Sequence, residues 1–474
     1  MPDRGSALRS GWHDANPDLM QTLATVKSKQ TYEQKFDRIA EQVPLAALPQ
    51  AEQSFLREKS CQHRFTLQEL RQITEIALDL STWKETSIMG LWPHDLPPGL
   101  TGKAARVRVI ERVRQHWNAL KWSANRYDSF GRAAKPVTPK TTLLQREKNK
   151  LGLGYCPVAS PRTRCCNLMT LDAVENCGFG CSYCSIQSFY HGNRIYFDPR
   201  FAEKLEALQI EPDRVYHIGT GQSSDSLMWG NKHGVLDALT GFARKFPNVI
   251  LEMKTKSRNV SYFLKHDTPR NIICTWSLNT PAIITHEEHL TAPLEERLAA
   301  ARKLADRGIL VGFHFHPMVH YEHWRQDYAE LFEVVQRSFE PAEVALVSLG
   351  TLTFTKPVMR QIRTRQLNSK ILQMPLVEAD GKLSYPEEMK LDMFRHVYHG
   401  LQSWHDKVFF YLCMENHRLW KPVFGYDHPS NEAFETAMKS SYMGKIEHAR
   451  ARCDANIAAH QNDNSAGSSR LFIP

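Results

Sequence analysis

Along the first third of the chain, apolar residues recur at helical intervals from Leu67 to Leu80. They do so again from Val107 to Leu120, where Val107, Ile110, Val113, Trp117 and Leu120 form one stripe. Residues 1–150 are therefore read as a mainly helical extension, with the proline-containing stretch Gly131 to Pro139 as its linker. From about residue 165 the pattern changes to short apolar runs alternating with amphipathic segments. The runs Leu168–Val174, Arg214–Ile218, Val249–Met253, Ile272–Trp276, Ile309–Phe315 and Glu343–Ser348 predict strands. Gly234–Phe246, Leu294–Arg307, Trp324–Arg337 and Pro357–Arg365 predict helices. Strands that alternate with helices pair in parallel, so six β/α units over 151–365 give an α/β domain, either a partial barrel or a doubly wound sheet. In both, ligands bind at the carboxyl ends of the strands. Residues 366–474 form a C-terminal extension whose Phe409, Phe410, Tyr411, Trp420, Phe424 and Tyr426 suit packing against the barrel and closing its open side, followed by a disordered tail after His460.

The hydrophobic fraction is 42% and the charged fraction 23%, which excludes a fibrous or disordered chain. Nowhere do about 18 apolar residues run together, and the N-terminus lacks an apolar signal core, so a cytoplasmic protein without a membrane partner is expected. The net charge is +9, and the segment from Gly102 to Lys150 holds 13 Lys or Arg against three acids. It reads equally as a phosphate-facing surface and as a solvated helix face with a basic linker. Trp117, Trp122, Tyr127 and Phe130 are interleaved with it, as nucleic-acid contact or as packing. Lys356, Arg360, Arg363 and Arg365 offer a second basic run.

Ten cysteines in a reducing compartment point to metal binding or catalysis before disulfides. Cys177, Cys181 and Cys184 stand as C-x3-C-x2-C in LDAVENCGFGCSYCSIQ, directly after the first predicted strand. Three thiolates on one loop each take one iron of a [4Fe-4S] cubane, with Gly178 and Gly180 allowing the wrap, and the fourth iron is left open. Such an iron binds S-adenosylmethionine and passes one electron into its sulfonium, releasing a 5′-deoxyadenosyl radical. A structural zinc site needs four ligands, commonly as two pairs, and a second C-x2-C is missing. Cys156, Cys165 and Cys166 read as buried thiols before an auxiliary metal site, and Cys274 is a core residue or points into the cavity. His314 and His316 share one strand face and serve near the radical if that face is internal.

At these residues the chain resembles the radical S-adenosylmethionine superfamily, and within it the spore photoproduct lyase family of DNA-repair enzymes. The likeness covers about residues 165 to 365 through CGFGCSYC, GTGQSSDSL (Gly219–Leu227), MKTKSRNV (Met253–Val260), TWSLN (Thr275–Asn279), PLEERLAAARKLADRGILVGFHFHPM (Pro293–Met318) and LTFTKP (Leu352–Pro357). The resemblance implies a partial (β/α)6 barrel of the radical S-adenosylmethionine kind with helical extensions at both ends. It also implies that Tyr183, Ser224, Asp225, Lys256, Ser277 and the backbone at His316 hold S-adenosylmethionine, with Tyr183 also catalytic, and that a one-electron reductant such as flavodoxin or ferredoxin is a partner. The reaction implied is lyase repair of a thymine photoproduct in DNA.

Two departures stand against that reaction. The family's hydrogen-donating cysteine is replaced by Gln222, and a tyrosine after the last cluster cysteine by Ser185. Another donor such as Cys274 then serves, or the radical acts on RNA, a peptide or a small molecule. A nucleic-acid-binding iron–sulfur protein without catalysis is the remaining alternative, and the open iron opposes it.

Overall fold

The computed structural model describes residues 30–128, 130, 141–156, 162–187, 190, 192–365 and 367–468, the side chains of 455–468 excepted. The linker read at Gly131 to Pro139 lies outside the described residues. At the N-terminal end, helices Tyr32–Ala40, Gln50–His63, Leu67–Trp83 and Gly102–Trp122 enclose a core of Leu56, Phe65, Leu70, Ile73, Ile76, Leu80, Val109 and Val113. Thr31 and Thr66 open two of these helices with reciprocal capping boxes, which satisfies backbone N–H groups that a helix start leaves without partners. On Gly102–Trp122 the buried face runs through Ala105, Val109, Ile110 and Val113, while Val107 is 49% exposed, so the expected stripe is rotated by about half a turn at its start.

The main sheet has eight strands: β1 (Leu153–Tyr155), β2 (Met169–Leu171), β3 (Tyr216–Thr220), β4 (Val249–Thr255), β5 (Ile272–Ser277), β6 (Leu310–Met318), β7 (Val344–Thr351) and β8 (Phe409–Leu412). They neighbour one another in chain order; β1 and β2 are antiparallel, and every pairing from β2 to β8 is parallel. A doubly wound sheet reverses its strand order at a switch point; an unbroken progression is that of a barrel wall. All six expected strands are present. A seventh parallel one, β8, comes from the segment read as C-terminal extension, where its aromatic run carries no turn signal to mark a strand.

The two ends of the sheet meet through the C-terminal segment. Thr163 bridges Asn416, and the His417 N–H donates to the Arg162 carbonyl at 3.0 Å. Arg164 pairs with Asp427 at 3.2 Å, and the Cys165 N–H donates to Asn431 Oδ1 at 3.0 Å. The helix Asn431–Ser468 then crosses the barrel wall, burying Phe434, Met438, Tyr442 and Ile446 at intervals of four. Its backbone continues to Ser468, through part of the segment expected to be a disordered tail.

The N-terminal helices are clamped to the barrel by buried polar contacts. Arg363 donates to both carboxylate oxygens of Asp79 at 2.8 and 3.0 Å, and the Ser369 N–H donates to the Thr82 carbonyl at 3.0 Å. Trp83 from the third of these helices belongs to the barrel core.

Candidate active site

A cavity of about 260 Å³ opens at the carboxyl ends of the strands. Gln222, Ser224 and Asp225 reach it from the loop after β3, Lys254 and Lys256 from the end of β4, and Ser277 from the end of β5. His314 and His316 come from β6, Thr351 from β7 and Cys413 from the loop after β8. Cys177, Cys181, Cys184 and Tyr183 close the side next to β2. The loop that bears them is shaped by glycine at two points. Gly180 has φ +69°, and a Cβ on Gly178 would stand 2.8 Å from Met228 Cε.

Burial pushes the Cys177 thiol well above its ordinary range, helped by the nearby Asp225 carboxylate, and pushes Cys181 up to about 12, helped by Glu288. Buried thiols that converge on one wall and repel one another as thiolates form the donor set of a metal centre. Cations ring them. Lys256 lies near Cys181, and Arg365 donates to the carbonyls of Gly180 and Cys181 at 3.3 and 3.4 Å and to Gln187 Oε1 at 2.8 Å. The three-thiol donor set, with Lys256 and Arg365 among its neighbours, fits an iron–sulfur cluster. Tyr190, which sequence reasoning missed, hydrogen-bonds the Cys184 sulfur at 3.6 Å.

Tyr183 is held by a buried ion pair that periodicity could not reveal. Its hydroxyl donates to Glu288, which also accepts from Arg297 Nη2 at 2.5 Å. Arg297, fully buried, donates further to the Ser277 carbonyl at 2.8 Å and the Ala292 carbonyl at 2.8 Å. Burial alone would raise the Glu288 carboxyl; the Arg297 and Lys256 charges outweigh it and hold the group below its usual range. Lys256 Nζ sits 5.8 Å from the centre of the Tyr183 ring. One arginine thus positions Tyr183 and Ser277 together.

Asp225 lines the cavity, with its carboxylate bonded to the surrounding backbone. Its Oδ1 accepts from the N–H groups of Leu227 and Met228 at 3.0 and 2.9 Å and from Thr255 Oγ1 at 2.8 Å. Its Oδ2 accepts from the Lys256 N–H at 2.8 Å. These bonds fasten the loop after β3 to the end of β4. Ser224 accepts from Trp229 Nε1 at 3.3 Å.

Cys274 is a correction. It is fully buried on β5 at the parity opposite Thr275 and Ser277; Thr275 bonds the interior Glu252, so Cys274 faces the helical layer and is not in the cavity lining. It cannot donate hydrogen there. His314 does face inward, yet both ring nitrogens are engaged, Nδ1 with Ser348 Oγ at 2.5 Å and Nε2 with Glu252 Oε1 at 2.8 Å. Burial holds it at about 4, and it is neutral.

Some residues of the basic segments are already paired among the described residues. Arg363 serves the helical clamp and Arg365 the cluster loop, so neither is open to a phosphate. Arg106 pairs with Glu69, Arg126 with Glu322, and Arg146 and Lys148 with Glu175. Of the interleaved aromatics, Trp117 donates to Asp79, Tyr127 and Phe130 are buried, and only Trp122 is exposed, at 64%.

A family model described as spore photoproduct lyase matches residues 176–398. The spore photoproduct lyase of Geobacillus sp. is 27% identical over 214 residues, covering 42% of this chain and 60% of that relative. That of Bacillus subtilis is 31% identical over 126 residues, covering 26% of this chain and 36% of that relative. The chain thus spans less than two thirds of the length of the curated relatives it matches, from 36% to 60%. Among solved structures, a spore photoproduct lyase complexed with dinucleoside spore photoproduct superposes with a TM-score of 0.51 at 19% identity, over 68% of this chain and 88% of that one. That likeness shows the fold alone, a partial barrel shared with that structure. Residues 176–398, just under half of the chain, are what is similar to the spore photoproduct lyase family.

Proposed function

We propose that this protein is a radical S-adenosylmethionine enzyme of the lyase type, acting on a thymine photoproduct in DNA. The observation that carries the reading is the gathering of Cys177, Cys181, Cys184, Tyr183, Ser224, Lys256, Ser277 and His316 around one cavity at the strand ends. When bound, the cluster and S-adenosylmethionine supply reductive cleavage to a hydrogen-abstracting 5′-deoxyadenosyl radical. The chain's own residues do the rest. Arg297 and Glu288 orient Tyr183; Asp225 sets the loop that presents Ser224; Lys256 offers a cation to a carboxylate; the barrel wall excludes water from a reactive centre. Substrate DNA matches the dinucleoside seen with the structural relative, and a flavodoxin- or ferredoxin-type reductant supplies the electron.

Gln222 and Ser185 both line the cavity, and this favours a second reading in which the same initiation serves another substrate. An amide and a serine hydroxyl are poor hydrogen-atom donors. The test is anaerobic incubation of reconstituted protein with S-adenosylmethionine, a strong reductant and dinucleoside spore photoproduct. Formation of 5′-deoxyadenosine together with thymine supports the first reading. 5′-Deoxyadenosine without thymine, on this and on irradiated DNA, moves the assignment to the second.

No helix among the described residues is long and apolar enough to cross a membrane.

A further inference from the structure

Seven of the ten cysteines gather at one cavity. Three form the triad already described; Cys156, Cys166 and Cys413 line the same cavity, and Cys165 adjoins Cys166. Cys156 follows β1, Cys165 and Cys166 lead into β2, and Cys413 follows β8. Since β1 and β2 form one end of the sheet and β8 the other, these four residues meet at the seam that the Thr163–Asn416 bridge closes.

Backbone bonds fix each of them there. The Cys156 N–H donates to the Leu168 carbonyl at 3.0 Å and the Cys413 N–H to the Leu349 carbonyl at 2.7 Å, while Asn431 holds Cys165. The Cys165 and Cys166 thiols, adjacent in the chain, influence each other electrostatically, and Cys413 lies within electrostatic range of Cys156, Cys165 and Cys166. Lys254 is a cationic neighbour of Cys156, Cys166 and Cys413, and Lys382 of Cys156. Cys274, by comparison, has burial as its sole influence.

Four soft donors from three distant segments, with cations beside them, are the donor set of a thiolate-bound metal centre. A single zinc ion at about 2.3 Å from each sulfur would bring the sulfurs within about 3.8 Å of one another. Among the described residues no three of these thiols lie within 4.8 Å of one another, and the same holds for Cys177, Cys181 and Cys184. The four thiols as they stand therefore do not fit a single ion, which leaves a polynuclear thiolate-held centre as the candidate.

We propose that Cys156, Cys165, Cys166 and Cys413 hold a second iron–sulfur cluster at the barrel seam. Four protein thiolates leave it without an open iron, in contrast to the triad. It ties the loop after β8 to the end of β1 and the lead-in of β2, in the lining of the same cavity as the triad. The inference concerns metal content and stands or falls apart from the radical chemistry.

The full-length protein, reconstituted anaerobically with iron and sulfide, should carry about eight irons per chain rather than about four. The Cys177→Ala/Cys181→Ala/Cys184→Ala variant should keep about four irons and about four sulfides, and Cys413→Ser alone should lower the wild-type iron count by about half. Circular dichroism and gel filtration establish that each variant is folded. A wild-type count of about four overturns the proposal without any variant. So does a folded triple variant with no iron, or with one zinc in its place. Cleavage of S-adenosylmethionine by the same wild-type sample is scored separately, so failure of the second cluster and failure of the proposed function are distinguishable.

Discussion

Arg297→Met tests the claim that a buried ion pair organises the cofactor wall. The side chain is fully buried and makes four hydrogen bonds, two of them to Glu288 and Thr291 at 2.5 and 2.6 Å. Removing it leaves the Glu288 carboxylate buried without its countercharge, for which a loss of about 3–5 kcal/mol is expected, roughly two to four decades in the folding equilibrium. The loss should depend on pH with a definite sign. In the wild type the folded-state value of Glu288 is lowered, so its contribution is present above the unfolded value of about 4.3 and is lost as pH falls. In the variant the folded value is raised by burial, so stability persists in acid and falls as pH climbs through that raised value. Urea denaturation at pH 4, 6 and 8 should therefore show a gap between the two proteins that widens with pH. Arg297→Met/Glu288→Gln removes the stranded charge and should recover most of the loss, while the KM for S-adenosylmethionine stays raised because Ser277 and Tyr183 have lost their tether. A single-variant loss under about 1 kcal/mol, or no recovery in the double variant, would refute the reasoning.

Loading of iron should release protons, because the Cys181 thiol is pushed up to about 12; apparent iron affinity measured by chelator competition should rise steadily from pH 6 to pH 9, and a flat profile would contradict protonated apo thiols. Cys274→Ala should leave deuterium transfer to product unchanged and cost only on the order of 1 kcal/mol in stability, since the thiol faces the helices. Gln222→Cys places a thiol in the cavity and should raise thymine yield per 5′-deoxyadenosine if quenching limits turnover; an unchanged ratio would direct attention to another substrate. Arg365→Met frees the carbonyls of Gly180 and Cys181 and should lower cluster retention during gel filtration several-fold while the far-ultraviolet spectrum stays unchanged.

Short-range pattern sufficed for much of this molecule. The six strands and their intervening helices were legible because a strand buried on both faces is a continuous apolar run and a covering helix is an apolar stripe. The triad was legible because three thiols on one short loop need no tertiary information to be neighbours. Ser224, Lys256 and Ser277 could be placed at the site because each follows a recognisable strand.

Folding decided the rest, for reasons of distance and of facing. Whether Cys274 looks inward or outward depends on the pleat of β5, which a run of buried residues on both faces does not encode. The role of Arg297 rests on a partner nine residues away across a turn, and that of Arg363 on Asp79, hundreds of positions earlier. β8 and the meeting of Cys156, Cys165, Cys166 and Cys413 exist only because a barrel brings its first and last strands together. The sequence by itself determined which segments become elements and where the chemistry begins; the tertiary structure alone determined which charges are spent on packing and which thiols share a wall, because pairings between remote segments leave no periodic trace along the chain.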